Sequence, residues 1–123
     1  MNASYNILTV DDSSSMRSMI VYTLGQSGYQ CDEAENGQDA LDKAKIKKYD
    51  LIIMDINMPV MDGIEAIGHL RKMDDYKNKP IIVLSTESSK EIKEKGRAMG
   101  ATGWMVKPFD PDKLIGALRR VLN

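Results

Sequence analysis

Reactive side chains close four short apolar runs of this sequence. Asp11-Asp12 follows Ile7 to Val10, Asp55 follows Leu51 to Met54, Ser85-Thr86 follows Ile81 to Leu84, and Lys107 follows Gly103 to Val106. Three carboxylates brought together repel one another, and each resists ionising unless a cation lies among them. Aspartate oxygens, with a backbone carbonyl and water, are the hard donors that magnesium accepts. Lys107 adds a fixed positive charge, and the hydroxyl of Ser85 or Thr86 adds a neutral donor. Such a set would surround a phosphoryl group. The matching reaction is attack by a carboxylate on phosphorus to give an acyl phosphate, driven by positioning and charge neutralisation without a general base. Asp55 is the expected nucleophile because it ends the central run, whereas Asp11 and Asp12 stand side by side at a turn, as paired ligands of one ion would.

Taken singly, each residue has a plainer explanation. Asp11-Asp12 could cap a helix, Asp55 could end a strand, and Lys107 could be a surface lysine. Asp74-Asp75 supplies a control, since it follows no apolar run and reads as solvated loop. Caps and turns do not require acid, acid, hydroxyl and base at four run ends in strand order, and that coincidence carries the functional reading. His69, the sole histidine, is expected at the surface, and most of the nine methionines on buried faces.

The elements that must position these residues are legible from periodicity. A further run, Tyr29 to Ala34, mixes polar with apolar residues and is expected at a sheet edge, while runs three and four are apolar throughout, as strands buried on both faces should be. Apolar stripes at helical spacing follow each run: Met16, Ile20, Thr23 and Leu24; Ala40, Leu41 and Ala44; Ile64, Ile67 and Leu70; Ile92, Gly96 and Met99; Leu114, Leu118, Val121 and Leu122. Five βα units predict an α/β protein with a parallel sheet covered by helices. The strand ends then share one edge, where ligands bind at the point of strand-order reversal. Gly28 and Gly100 mark helix stops, Asp62 and Asp110 mark helix caps, and Lys72 to Lys79 reads as a surface loop.

The chain has 123 residues, 42% hydrophobic and 28% charged, so residues 1–123 are expected to form one domain with a core of its own. A formal net charge of -1 supplies no basic excess for nucleic acid or an anionic membrane. Cys31 is the only cysteine, which excludes an internal disulfide and fits a reducing compartment, the cytoplasm by default. The first residues lack the basic and apolar segments of a signal peptide, and no run is long enough to span a bilayer.

Val10-Asp11-Asp12-Ser13, Met54-Asp55-Ile56-Asn57-Met58-Pro59, Met61-Asp62-Gly63, Leu84-Ser85-Thr86-Glu87 and Val106-Lys107-Pro108-Phe109 together resemble the receiver domains of bacterial response regulators, most of all the stand-alone chemotaxis type. The resemblance covers essentially the whole chain. It implies a flavodoxin-like, doubly wound, five-stranded parallel sheet in the order 2-1-3-4-5 with five helices. It further implies that Asp11, Asp12, Asp55 and the backbone carbonyl of Asn57 bind Mg2+, with Mn2+ as a substitute, and that Asp55 accepts a phosphoryl group from a histidine kinase. On the same grounds Ser85 matches the switch hydroxyl, Lys107 the partnering lysine, and Lys107-Pro108 the family's cis peptide. Asn57 and Glu87 match positions that tune dephosphorylation. Trp104 occupies the place of the switch aromatic, usually the smaller tyrosine or phenylalanine, so inward movement of the ring is expected to be harder. The output surface would comprise Lys90 to Met99, Trp104 and Asp112 to Leu122. A chemotaxis kinase, a flagellar motor switch protein and a phosphatase are the implied partners of a monomer that modifies itself and is no multi-turnover enzyme.

Three rivals differ in class. A haloacid-dehalogenase-like phosphatase also forms an aspartyl phosphate, but resembles a longer chain with its nucleophile on the first strand. A flavodoxin-like cofactor binder needs a phosphate-cradling loop after run one, where Asp11-Asp12 would repel phosphate. An excised receiver of a DNA-binding regulator is the third; a start at Met1 and an end just after the last helix favour the stand-alone form.

Overall fold

The computed structural model describes residues 5–122. Its elements alternate: β1 (Asn6–Val10), α1 (Ser14–Gln26), β2 (Gln30–Ala34), α2 (Gly37–Ile46), β3 (Leu51–Met54), α3 (Gly63–Arg71), a short 3-10 turn (Asp74–Tyr76), β4 (Ile81–Ser85), α4 (Lys90–Met99), β5 (Gly103–Val106) and α5 (Pro111–Leu122). All strand pairs are parallel, in the order β2-β1-β3-β4-β5. The reversal of strand order falls between β1 and β3, and β2 is an edge, as its mixed composition predicts.

Strand alternation divides the apolar side chains between two layers. Leu8, Val10, Ile52, Met54, Ile81 and Val83 pack with α2 and α3 residues such as Leu41, Ile67 and Leu70. Ile7, Leu51, Ile53, Ile82 and Leu84 pack on the other face with Ile20 and Leu24 of α1 and Leu114, Ile115 and Leu118 of α5. Central strands apolar at every position are what two covered faces demand. Helix ends follow local chemistry: Asp62 accepts from the Glu65 amide at 2.9 Å, Asp110 from the Asp112 amide at 2.9 Å, and Gly100 closes α4 in the left-handed region at φ 117°. The cap of α1 is Ser13, whose Oγ accepts from the Met16 amide, rather than the aspartate pair before it.

Two expectations need correction. The segment from Lys72 to Lys79 is no mere surface loop, because Tyr76 at its centre is 0% exposed. Its hydroxyl accepts from the Tyr49 amide at 3.0 Å and lies 2.9 Å from the Lys47 carbonyl and 3.1 Å from that of Ala44, tying the turn to the end of α2. A single aromatic among charged neighbours gives no periodic signal, so the anchor is invisible to pattern reading. Tyr76→Phe is expected to lower the unfolding free energy by about 2 kcal/mol, since it strands a buried amide and carbonyl; urea denaturation measures this. The methionines also differ from expectation: Met54 is fully buried, but Met19 and Met99 are exposed and Met16, Met58, Met61, Met73 and Met105 only partly covered.

Candidate functional site

The C-terminal ends of β1, β3, β4 and β5 bring their reactive residues to one edge of the sheet. The backbone there is held by continued ladder bonds: the Asp11 amide donates to Ala34, that of Asp55 to Val10, and that of Lys107 to Ser85, at 3.1, 3.0 and 2.9 Å. Side chains on such a backbone have little positional freedom. Asp11 and Asp55 are 2% and 6% exposed. Lys107 Nζ donates to Asp11 Oδ2 at 2.7 Å and to Asp55 Oδ2 at 3.2 Å. Asp11 Oδ1 accepts from the Ser13 amide and Asp55 Oδ1 from that of Ile56, at 2.9 and 2.8 Å. Asp12 is exposed at the rim.

Carboxylate oxygens of Asp11, Asp12 and Asp55 all lie within 4.8 Å of one another. Three carboxylates facing one ammonium leave an excess of negative charge, and the donors are all hard oxygens, so the set fits a divalent ion of the magnesium class. Burial, reinforced by the charge of Asp11, holds the Asp55 carboxyl above the usual carboxylate range, against the opposing pull of Lys107 and the Ile56 amide. Burial acts to lower the Lys107 ammonium, but its bond to Asp11 and the charges of Asp55 and Asp11 outweigh that and leave it raised.

Of the two adjacent hydroxyls, Ser85, the one the resemblance assigns, is fully buried and Thr86 exposed. Ser85 Oγ accepts from the Glu87 amide at 3.1 Å. Asn57 Nδ2 donates to Glu87 Oε2 at 2.9 Å, joining the segments after β3 and β4. Trp104 is half-buried and packs against the core beside α4. The Lys107-Pro108 peptide is cis.

Three features near these strand ends have a physical role that sequence reasoning did not give. Arg17 donates to the Asp11 carbonyl at 2.6 Å and pairs with Glu33 at 2.9 Å, fixing the turn after β1; an arginine six residues past Asp11 was the only hint. Gly63 lies so close to β3 that a Cβ there would stand 2.0 Å from the Asp55 carbonyl oxygen, while its amide donates to Ile56. Val60, exposed in the loop between β3 and α3, adopts φ 70°, which a β-branched residue rarely takes and which marks local strain in the segment that follows Asp55.

Residues 7–119 match the family profile of the response regulator receiver domain. The chain belongs to that family. The receiver is 39% identical over 116 residues to the chemotaxis protein CheY of Thermotoga maritima, covering 94% of this chain and 95% of that one. It is 36% identical over 119 residues to a probable transcriptional regulator, ycf29, of Porphyra purpurea, covering 97% of this chain but only 57% of the longer relative. Among solved structures it superimposes on the chemotaxis protein CheY4 of Vibrio cholerae with a TM-score of 0.93 and 48% identity, over 98% of this receiver and 100% of that chain. It is thus a CheY-like receiver, a signalling domain of the two-component type, and the phosphatase and cofactor-binding rivals are displaced. Among the described residues no helix is long and apolar enough to cross a membrane.

Proposed function

We propose that this receiver is a phosphoacceptor switch in which Asp55 takes a phosphoryl group from a histidine kinase, with Mg2+ or Mn2+ held by Asp11, Asp12, Asp55 and the Asn57 carbonyl. The observation that carries the reading is the contact of one partly buried lysine with two buried carboxylates beside a buried hydroxyl. An Asp55 oxygen bonds to phosphorus as the bond from phosphorus to the donor nitrogen breaks, and the leaving histidine takes a proton. The metal, when bound, neutralises charge on the carboxylates and the transferred oxygens. Lys107 supplies positive charge without moving, Ser85 offers its hydroxyl, and the surrounding apolar strands keep bulk water out. Asn57 and Glu87 at the mouth tune attack by water on the acyl phosphate.

The new charge draws Ser85 toward Asp55 and biases the segment before α4, and with it the face formed by α4, β5 and α5. A groove lined by Trp104, Met105, Lys113, Gly116, Ala117 and Arg120 lies on that face and suits a target peptide or helix. Identity to CheY proteins supports a chemotaxis kinase as donor, a flagellar motor switch protein as target and a phosphatase as a further partner, with residues 1–123 acting as one monomeric domain in the cytoplasm. Incubation with phosphoramidate and magnesium should add one phosphoryl group to the peptide that contains Asp55, and EDTA should prevent it. A labelled protein with that peptide unmodified refutes the reading.

A further inference from the structure

Glu87 lies in the irregular segment between β4 and α4, where no ladder fixes its backbone, yet it makes three bonds to three different parts of the receiver. Its amide donates to Ser85 Oγ at 3.1 Å, its carboxylate accepts from Asn57 Nδ2 at 2.9 Å, and its carbonyl accepts from the indole Nε1 of Trp104 at 2.9 Å. The first two partners flank Asp55. The third comes from β5 and is the only one on a rigid, half-buried ring. That ring has room because position 96 is glycine: a Cβ there would stand 2.6 Å from Trp104 Cζ3 and 3.3 Å from Cε3, so any larger residue on this turn of α4 would drive the indole away.

We infer that Trp104, seated on Gly96, is a positioning residue for the acceptor site, holding Glu87 through its carbonyl so that the Glu87 carboxylate and Asn57 close the mouth over Asp55. The inference rests on Asp55 being the phosphoacceptor, and it makes the large aromatic a fixed anchor of the loop, not a part that must first swing inward. A phenylalanine or alanine at position 104 has no N–H to give. The loop then loses its one tie to β5, the bond between Asn57 and Glu87 loosens, and water reaches the acyl phosphate more often.

The test follows phosphoryl loss after removal of phosphoramidate, by acid-quenched mass analysis in the presence of magnesium. Trp104→Phe should speed the loss by about threefold to tenfold, the effect of removing one partly exposed hydrogen bond. Gly96→Ala, which keeps the indole but displaces it, should speed the loss similarly and shift the tryptophan emission. In a Glu87→Ala background, which keeps the carbonyl but lacks the carboxylate, Trp104→Phe should add nothing, since both changes open the same bridge. A merely structural role for Trp104 would persist in that background. Labelled wild type with unchanged decay in Trp104→Phe overturns the inference alone, as does a full Trp104→Phe effect on top of Glu87→Ala. Wild type that takes no phosphoryl group overturns the acceptor reading and this inference with it.

Discussion

Asp55→Asn is expected to take up no phosphoryl group from phosphoramidate with magnesium present, its labelling falling to background while wild type is modified. The amide keeps the shape of the side chain and can still receive a bond from Lys107, but its oxygen is too weak a nucleophile to form an acyl phosphate. The same substitution should raise stability in the absence of magnesium, by about 1 kcal/mol on the scale of ordinary single substitutions. Burial and the Asp11 charge raise the Asp55 carboxyl. A carboxyl bound more tightly to its proton in the folded state contributes most below its unfolded value of about 3.9, and that contribution fades as pH rises through the higher folded value. Ionised Asp55 is therefore a liability at neutral pH, and the gain from asparagine should appear as pH climbs through that window and stay level above it. Magnesium should narrow the difference, because it binds and stabilises wild type more than the variant. Thermal unfolding at neutral and acid pH, with and without EDTA, measures all of this. Full labelling of the variant, or a variant less stable than wild type in EDTA, would contradict the electrostatic account.

Much of this arrangement is legible in the chain because two simple rules act in concert. Runs such as Leu51 to Met54 and Ile81 to Leu84 are apolar at every position because both sheet faces are covered. Parallel connections then oblige Asp11, Asp55, Ser85 and Lys107 to emerge at one edge. The site is therefore written in strand order, one residue past each run or at its end. What eludes the sequence depends on contacts between distant segments that leave no period. Tyr76 reaches across to Tyr49 and Lys47, Arg17 grips a backbone carbonyl, and Gly63 is small because the Asp55 carbonyl passes beside it. The two adjacent hydroxyls show the same limit. The apolar run alone leaves Ser85 and Thr86 equivalent; the family resemblance points to Ser85, and of the two only Ser85 is buried. The fit of Trp104 likewise depends on Gly96, a residue on another element whose meaning appears only when the ring lies against it.

Lys107→Met should have the second large effect, and it should depend on metal in the opposite sense to Asp55→Asn. Methionine keeps most of the buried stem but removes the ammonium that bonds to Asp11 and Asp55, both nearly inaccessible to water. Two carboxylates left without a counter-charge in such a place cost about 3 kcal/mol, the range found when one partner of a buried pair is removed. The ammonium is raised above its ordinary value, so its contribution is fully present below the unfolded value of about 10.4 and is lost only as pH climbs through the still higher folded one. The deficit of the variant should accordingly be constant across neutral pH, close in strong alkali, and shrink in acid as the carboxylates take up protons. Magnesium should restore much of the loss, because the uncompensated carboxylates attract a divalent ion more strongly once the competing ammonium is gone. Lys107→Met is thus expected to show a larger rise in unfolding temperature on adding magnesium than wild type shows. Phosphorylation should nevertheless slow, since the metal cannot replace a positive charge fixed at the end of β5, on the side where the transferred oxygens would lie. A variant as stable as wild type in EDTA, or one that magnesium does not rescue, would show that Lys107 is no counter-ion to this carboxylate cluster.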